Sequence, residues 1–297
     1  MAKFKEARVS LMFLFALGCL TFLFFQKSSA DETGETKNEI VKEWLDRVEV
    51  SVQYETDQKP RVYFQTVQPL YQDSDKENTV FIQPRVSLQE GDATYNLGSG
   101  YRRLVSENLL LGINVFGDYA AEHAHGRVGI GLEAIGQVLE ARINSYIGIT
   151  EQREVDQAVG STTYERIANG VDYELGSVVP YVPWLKIFGS GFVYDFNNFK
   201  DRLGWKSRVE AKLSKSLRLE FYTFDDNKGD QEYGGRLRFN VAFNTFSDIV
   251  NGVKFADEPF PQKDLREDTL APVERNHEIV VERFIRSGGL TIEAGRS

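Results

Sequence analysis

From Val48 to Asn244 apolar and polar residues alternate with a period of two. Leu109, Leu111, Ile113, Val115 and Tyr119 share one parity, and Gly112, Asn114, Phe116 and Asp118 the other. Val128, Ile130, Leu132 and Ala134 alternate with Arg127, Gly129, Gly131 and Glu133. Leu203, Trp205, Val209 and Ala211 alternate with Lys206, Arg208, Glu210 and Lys212, and Leu217, Leu219 and Phe221 with Arg218, Glu220 and Tyr222. Successive side chains of a strand point to opposite faces, so the pattern predicts half-buried strands and not helix. Twelve such runs lie between turn signals, at about 48–55, 61–71, 79–88, 93–104, 108–120, 126–136, 139–149, 162–175, 182–195, 202–213, 216–225 and 231–244.

Several of these runs reach ten residues or more, which suits a tilted strand crossing a bilayer. Their number is even, as in single-chain bacterial outer-membrane barrels. The connections are asymmetric as well. If the first strand starts in the periplasm, Val105 to Glu107, Gln137-Val138 and Ser214-Lys215 are tight turns on that side. The longest loop, Thr150 to Ser161, and the polar stretches 121–125, 196–201 and 226–230 then lie on the other. A secreted soluble β-sandwich or lipocalin-like barrel would also alternate, with its apolar face inside. Strand number, leader and loop asymmetry favour an all-β, twelve-stranded antiparallel transmembrane barrel of the outer-membrane type. Such a barrel leaves no strand edge open to lipid. Its last strand carries Gly235, Leu237, Phe239, Val241 and Phe243 on one parity. That strand resembles the C-terminal β-signal by which the outer-membrane assembly machinery recognises its clients.

The flanks break the alternation. Lys3, Lys5 and Arg8 precede a nearly unbroken apolar stretch from Val9 to Phe25, and Ser28-Ser29-Ala30 follows. This predicts a signal peptide over 1–30, cleaved after Ala30. An uncleaved anchor helix and acylation at Cys19 are the alternatives, the latter poorly matched by Ala16-Leu17-Gly18. Residues 31–47 form a periplasmic segment in which Ile40, Val41, Trp44 and Leu45 suggest a short amphipathic helix capped by Asn38. Residues 48–244 are the barrel. Residues 245–297 read as a C-terminal linker with one strand-like patch, Glu278 to Ile285, that either threads the lumen or stays periplasmic.

Composition narrows the class further. With 41% hydrophobic residues in 297 the chain is too apolar for a disordered one. A mean hydropathy of -0.36, with no apolar run beyond the leader, excludes a helical membrane bundle. Loss of Lys3, Lys5, Glu6, Arg8 and Lys27 with the leader takes the formal charge from -9 to -12, which argues against nucleic acid as a partner. The single cysteine is Cys19, so the exported chain folds without disulfides.

Several ordered segments resemble a known family. These are Asn96-Leu97-Gly98-Ser99-Gly100-Tyr101-Arg102, Leu111 to Tyr119, Arg127 to Glu133, and Tyr164-Glu165-Arg166-Ile167-Ala168-Asn169-Gly170. Together with Val273-Glu274-Arg275-Asn276-His277-Glu278-Ile279-Val280-Val281-Glu282 they resemble the intimin/invasin β-domain, the translocator of inverse autotransporters. Ile167 stands where that family usually has Pro. The resemblance implies a barrel whose following segment threads back through the lumen, with Val273, Glu274, Arg275, Asn276, Ile279 and Val280 as linker motif. In the family that segment carries extracellular adhesin domains. The sequence continues only twelve residues past Ile285, so the expectation is a translocator without a passenger, and the stretch 31–47 is too short for the peptidoglycan-binding module of some members.

The remaining chemistry is sparse. Arg102, Asn114, Asp118, Arg127, Glu133, Arg142, Arg208, Glu210, Arg218, Glu220, Arg236 and Arg238 share the polar parity and are expected to line the lumen, since Arg or Lys against lipid costs roughly 2–4 kcal/mol at mid-depth. They serve as ion pairs that stiffen the wall, as a surface that solvates a threaded linker, or as both. Gly98, Gly100, Gly129 and Gly131 lie in strands without a following helix, so they make room for a plug rather than cradle phosphate. His123-Ala124-His125 falls in a surface loop with no third ligand nearby in sequence and is expected to be merely solvated. No nucleophile or acid pair beside a histidine can be named, so neither an enzyme, a metal nor a cofactor is expected. The expected function is anchor and export pore for the chain's own C-terminal segment. The alternative is a porin-like or structural barrel with a periplasmic tail. Expected partners are outer-membrane lipids, the barrel-assembly machinery and periplasmic chaperones, with a separate passenger left open.

Overall fold

The computed structural model describes residues 43–241 and 253–294. The leader, most of the expected N-terminal helix and Phe243 of the last strand lie outside the described residues. One helical turn, Glu43–Asp46, leads into the barrel. Its strands are β1 (Val48–Glu55), β2 (Arg61–Thr66), β3 (Gln68–Gln72), β4 (Asn78–Gln89), β5 (Asp92–Ser106), β6 (Leu109–Ala120), β7 (His125–Gly136) and β8 (Leu139–Gly148). After the hairpin β9 (Arg153–Ala158) and β10 (Ser161–Ile167) come β11 (Asn169–Val179), β12 (Val182–Asp195), β13 (Arg202–Lys212), β14 (Leu217–Asp226) and β15 (Glu232–Asn240). The tail adds β16 (Val281–Ser287) and β17 (Leu290–Glu293).

Every neighbouring pair in the wall is antiparallel, and two pairings close the ring. β15 pairs with β1, from Glu49↔Asn240 to Glu55↔Gly234. β2 pairs with both β1 and β4, and β3 continues β2 along β4. β2 and β3 are one wall strand interrupted at Val67, which gives a closed twelve-stranded barrel. Val67, at the break, is buried with Phe81, Phe116 and Val273.

Alternation maps directly onto the two faces. On β6, Leu111, Ile113, Val115 and Tyr119 face outward, while Asn114, Phe116 and Asp118 are buried inside. Ile130, Leu132, Ile143, Ile147, Leu175, Ile187 and Phe221 extend the same apolar exterior. An apolar outside and a charged inside suit a barrel whose solvent is lipid. A 12-residue strand such as β6 is about 40 Å long, so at the usual tilt of roughly 40° it rises about 30 Å, the thickness of a hydrocarbon core.

The strand expected at 162–175 is two elements. β10 ends at Ile167, and the wall strand β11 begins only at Asn169 and runs on to Val179. Between them the backbone N–H of Ala168 donates to the carbonyl of Val280 at 3.0 Å. The expected loop Thr150 to Ser161 contains β9, which pairs with β10 above the wall. The tail likewise holds a hairpin rather than a single patch. It completes a second sheet in the order β17-β16-β10-β9. Period two reports that a residue belongs to a strand with two unlike faces, and does not say which strand lies beside it.

Candidate functional site

The tail runs through the barrel interior. At the end of the barrel with the tight turns 107–108, 137–138 and 180–181, Ala256 N–H donates to the Tyr181 carbonyl, and Tyr181 N–H to that of Pro259. Gln137 donates to the Lys263 carbonyl at 3.0 Å and accepts from the Lys263 N–H at the same distance. A 3-10 turn, Leu265–Asp268, follows, capped by the Asp264 side chain accepting from Arg266 N–H. Leu265 is buried among Leu104, Leu110 and Ile135, inward-facing apolar residues that form a collar at this mouth.

Beyond the collar the segment is extended, and its backbone groups are satisfied by side chains of the wall. Arg102 pairs with Glu133 at 2.6 Å and donates to the carbonyls of Thr269 and Ala271. Gln83 accepts from Val273 N–H at 2.9 Å. Arg127 donates to the carbonyls of Asn276 and Glu278 at 2.8 and 2.9 Å, and Asn96 to that of His277 at 2.9 Å. A chain without a ladder must find such partners or leave buried polar groups unpaired, at about 1–3 kcal/mol each. Two charged residues of the segment lock into the wall. Arg275 donates to Asp118 through Nη1 and Nη2, both at 2.8 Å, and Asp118 also accepts from Arg127 at 2.8 Å. Glu274 takes two hydrogen bonds from Arg238, at 2.6 and 3.2 Å. Gly129 leaves room opposite, where a Cβ would displace the Arg275 guanidinium from its place.

Apolar pegs alternate with these polar contacts. Val273 is buried with Val67, Phe81 and Phe116, and Val280 with Tyr146, Ala168, Tyr194 and Phe196. With Leu265 they fix the segment near its entry, middle and exit. At the exit β16 pairs with β10 over seven residues, from Ser161↔Ser287 to Ile167↔Val281. The Glu282 carboxylate accepts backbone N–H groups of Asn197, Asn198 and Phe199 at 3.1, 2.6 and 3.1 Å, and Lys228 reaches Glu293 at 2.6 Å.

All twelve residues expected to line the lumen lie on inward-facing strand positions, but they do different work. Arg102, Asp118, Arg127 and Arg238 touch the tail. Arg142 and Arg208 share Glu174 at 3.0 and 2.7 Å, Arg208 also meets Glu210, and Glu220 pairs with Arg236 and Arg238, ion pairs made within the wall itself. Glu133 orients Arg102; Asn114 is buried beside Gly131, and Arg218 shares the inner face of β14 with Glu220. Of the expected linker motif, Val273, Glu274, Arg275, Asn276 and Val280 make the contacts above, and Ile279 lines the cavity near the exit. Gly235, Leu237 and Phe239 lie on β15, with Leu237 facing outward and Val241 exposed just after it.

Sequence reasoning passed over the uncharged partners. Tyr146 and Tyr194 hydroxyls accept from the backbone N–H and the side-chain amide of Asn276, both at 2.8 Å. Tyr146 and Asn96 carry the lumen parity, but neither bears the charge that marks most of the expected lumen residues. His123 and His125 are not merely solvated. β10 brings Glu165 within 2.9 and 3.0 Å of their rings, a third group that proximity in sequence does not reveal. Burial alone would raise the Glu165 carboxyl, but the His125 hydrogen bond, His123 and Arg283 together hold it below the usual range.

A closed antiparallel barrel with an apolar exterior, a charged lumen and an extended segment bound inside it defines an outer-membrane barrel whose lumen is occupied by its own chain. The chain belongs to the inverse autotransporter β-domain family, which it matches over residues 24–276. Its site of residence is the bacterial outer membrane. It is 25% identical over 160 residues to the putative attaching and effacing protein homolog of Escherichia coli (strain K12), a match over 53% of this chain and 52% of that protein. The chain thus spans about half the length of the curated relative it matches. A solved structure described as "Unveiling the Mechanism Behind the in-meso Crystallization of Membrane Proteins" superposes with a TM-score of 0.64 at 20% identity, over 80% of this chain and 99% of that one. The KdgM porin superposes with a TM-score of 0.46 at 5% identity, over 65% of this chain and 97% of its own.

Proposed function

We propose that the barrel serves as anchor and export pore for its own C-terminal segment, and that this segment, once passed, stays as the plug of the lumen. On this reading the end bearing the longer loops and the β9–β10 hairpin faces outward, and the protein is an anchor and translocator rather than an enzyme. The observation that carries it is the continuous set of contacts from Leu265 at one mouth to β16 on β10 at the other. The outer-membrane assembly machinery and periplasmic chaperones are the proposed partners during insertion, through the strand that includes Leu237 and Phe239. Thr291, exposed in β17, offers the test. Thr291→Cys should react with a membrane-impermeant maleimide on intact cells. Labelling only after the outer membrane is permeabilised would place the tail in the periplasm and favour a porin-like barrel.

A further inference from the structure

One cluster at the long-loop mouth has no part in holding the lumen segment. His123 lies in the turn between β6 and β7, and His125 is the first residue of β7. Nδ1 of the first and Nε2 of the second approach the same carboxylate oxygen, Oε2 of Glu165, at 2.9 and 3.0 Å. The three donor atoms lie within 4.8 Å of one another. His125 and Glu165 are buried and the His123 side chain is 22% exposed. We propose that His123, His125 and Glu165 form a binding site for a first-row divalent cation of the Zn2+ type, which ties the barrel wall to β10.

The donor set selects the ion. Two imidazole nitrogens and one carboxylate oxygen suit Zn2+, whereas Ca2+ and Mg2+ prefer all-oxygen shells. Tetrahedral bonds of about 2.0–2.1 Å set neighbouring donors roughly 3.3 Å apart, so both N···O separations need open by only a few tenths of an ångström. Without an ion, both imidazoles must hold a proton on the nitrogen facing Glu165 and donate to a single oxygen. A cation replaces those two hydrogens with one centre. Ala124, between the histidines, has φ 56, a left-handed conformation that costs an L-residue energy and bends the chain where the two rings converge. The other Glu165 oxygen faces Arg283 of β16 at 3.7 Å, which orients the carboxylate as outer-sphere partners commonly do. His123, His125 and Glu165 border the cavity at the mouth, leaving access for water in the remaining coordination position. Because β10 carries β16, the ion would staple the turn at the head of β7 to the sheet through which the tail leaves.

The test uses the untagged full-length chain folded in detergent, with Zn2+ and Co2+ as probes and folding verified by heat-modifiable migration. About one equivalent of Zn2+ should survive gel filtration, and Co2+ should show visible d–d bands that Zn2+ abolishes. His123→Ala and Glu165→Gln should each weaken Zn2+ binding by ~10-fold or more. His277→Gln, which removes the remaining histidine from inside the lumen, should leave binding unchanged. Three results would overturn the proposal: a folded wild-type barrel that retains no Zn2+ at micromolar concentration, retention unchanged in the folded His123→Ala/His125→Ala double variant, or Ca2+ and Mg2+ competing as well as Co2+. The first of these needs no variant at all, so the proposal stays testable even if a substitution prevents folding.

Discussion

Asp118 accepts hydrogen bonds from Asn96, Arg127 and Arg275 together, so one carboxylate pairs with two buried guanidinium groups. Glu274 does less, because its partner Arg238 keeps Glu220 when Glu274 is lost. Removing one member of a buried pair is costly mainly through the charge left behind. Asp118→Ala should therefore destabilise the folded barrel by about 3–5 kcal/mol. Glu274→Ala should cost about 1–3 kcal/mol. Urea unfolding midpoints in detergent, compared at constant slope, will rank the two. Parity alone placed Asp118 on the inner face, since Leu111, Ile113 and Val115 had claimed the outer one. Its pairing with Arg275 was beyond reach of periodicity, because 157 residues separate the two and the tail has no alternation to follow. The same limit hid Glu165 from His123 and His125.

At the level of elements, the wall strands owe their positions to the period-two pattern, and lipid enforces it. Ile130 sits near the middle of β7, half exposed, opposite Val115 and Ser145. Ile130→Arg should cost roughly 2–4 kcal/mol and sharply lower the yield of folded barrel in vesicles. Ile130→Val should be nearly silent, with the yield read from heat-modifiable migration. The sequence made the wall legible to within a few residues nearly everywhere, and the one serious departure is instructive. Residues 162–167 do not alternate as the wall strands do, since Tyr164 and Ile167 fall on opposite parities, and they leave the ring to join β9 and β16. Clean alternation starts only with Val171, Tyr173 and Leu175 of β11, but the pattern does not say where 162–167 go, because their partner β16 lies more than a hundred residues downstream. The tail hairpin was half visible for a related reason: Glu278 to Ile285 is apolar enough to read as a strand, whereas Leu290–Glu293 is too short to show a period.

For the whole molecule, a twelve-stranded ring encloses more space than its own side chains fill, and the segment from Leu265 to Val280 takes up part of the remainder, leaving a cavity toward the exit. The intact chain should accordingly conduct ions poorly across a planar bilayer. Deletion of 265–293 should raise the single-channel current several-fold, a comparison that also reports whether the wall keeps its shape unaided. The sheet at the mouth has a mechanical consequence as well. β10 runs into the wall at its Ile167 end, and β16 is paired with it in opposite direction up to Ser287. Tension applied to the chain beyond Glu293 would first peel β17 from β16 one residue pair at a time, starting where Glu293 lies opposite Phe284. It would then draw β16 along β10 in shear, where all seven pairs share the load and none can fail alone. The exit thus behaves as a cleat: a rope end that slips a short way freely and then holds, before any strain reaches the ion pairs inside.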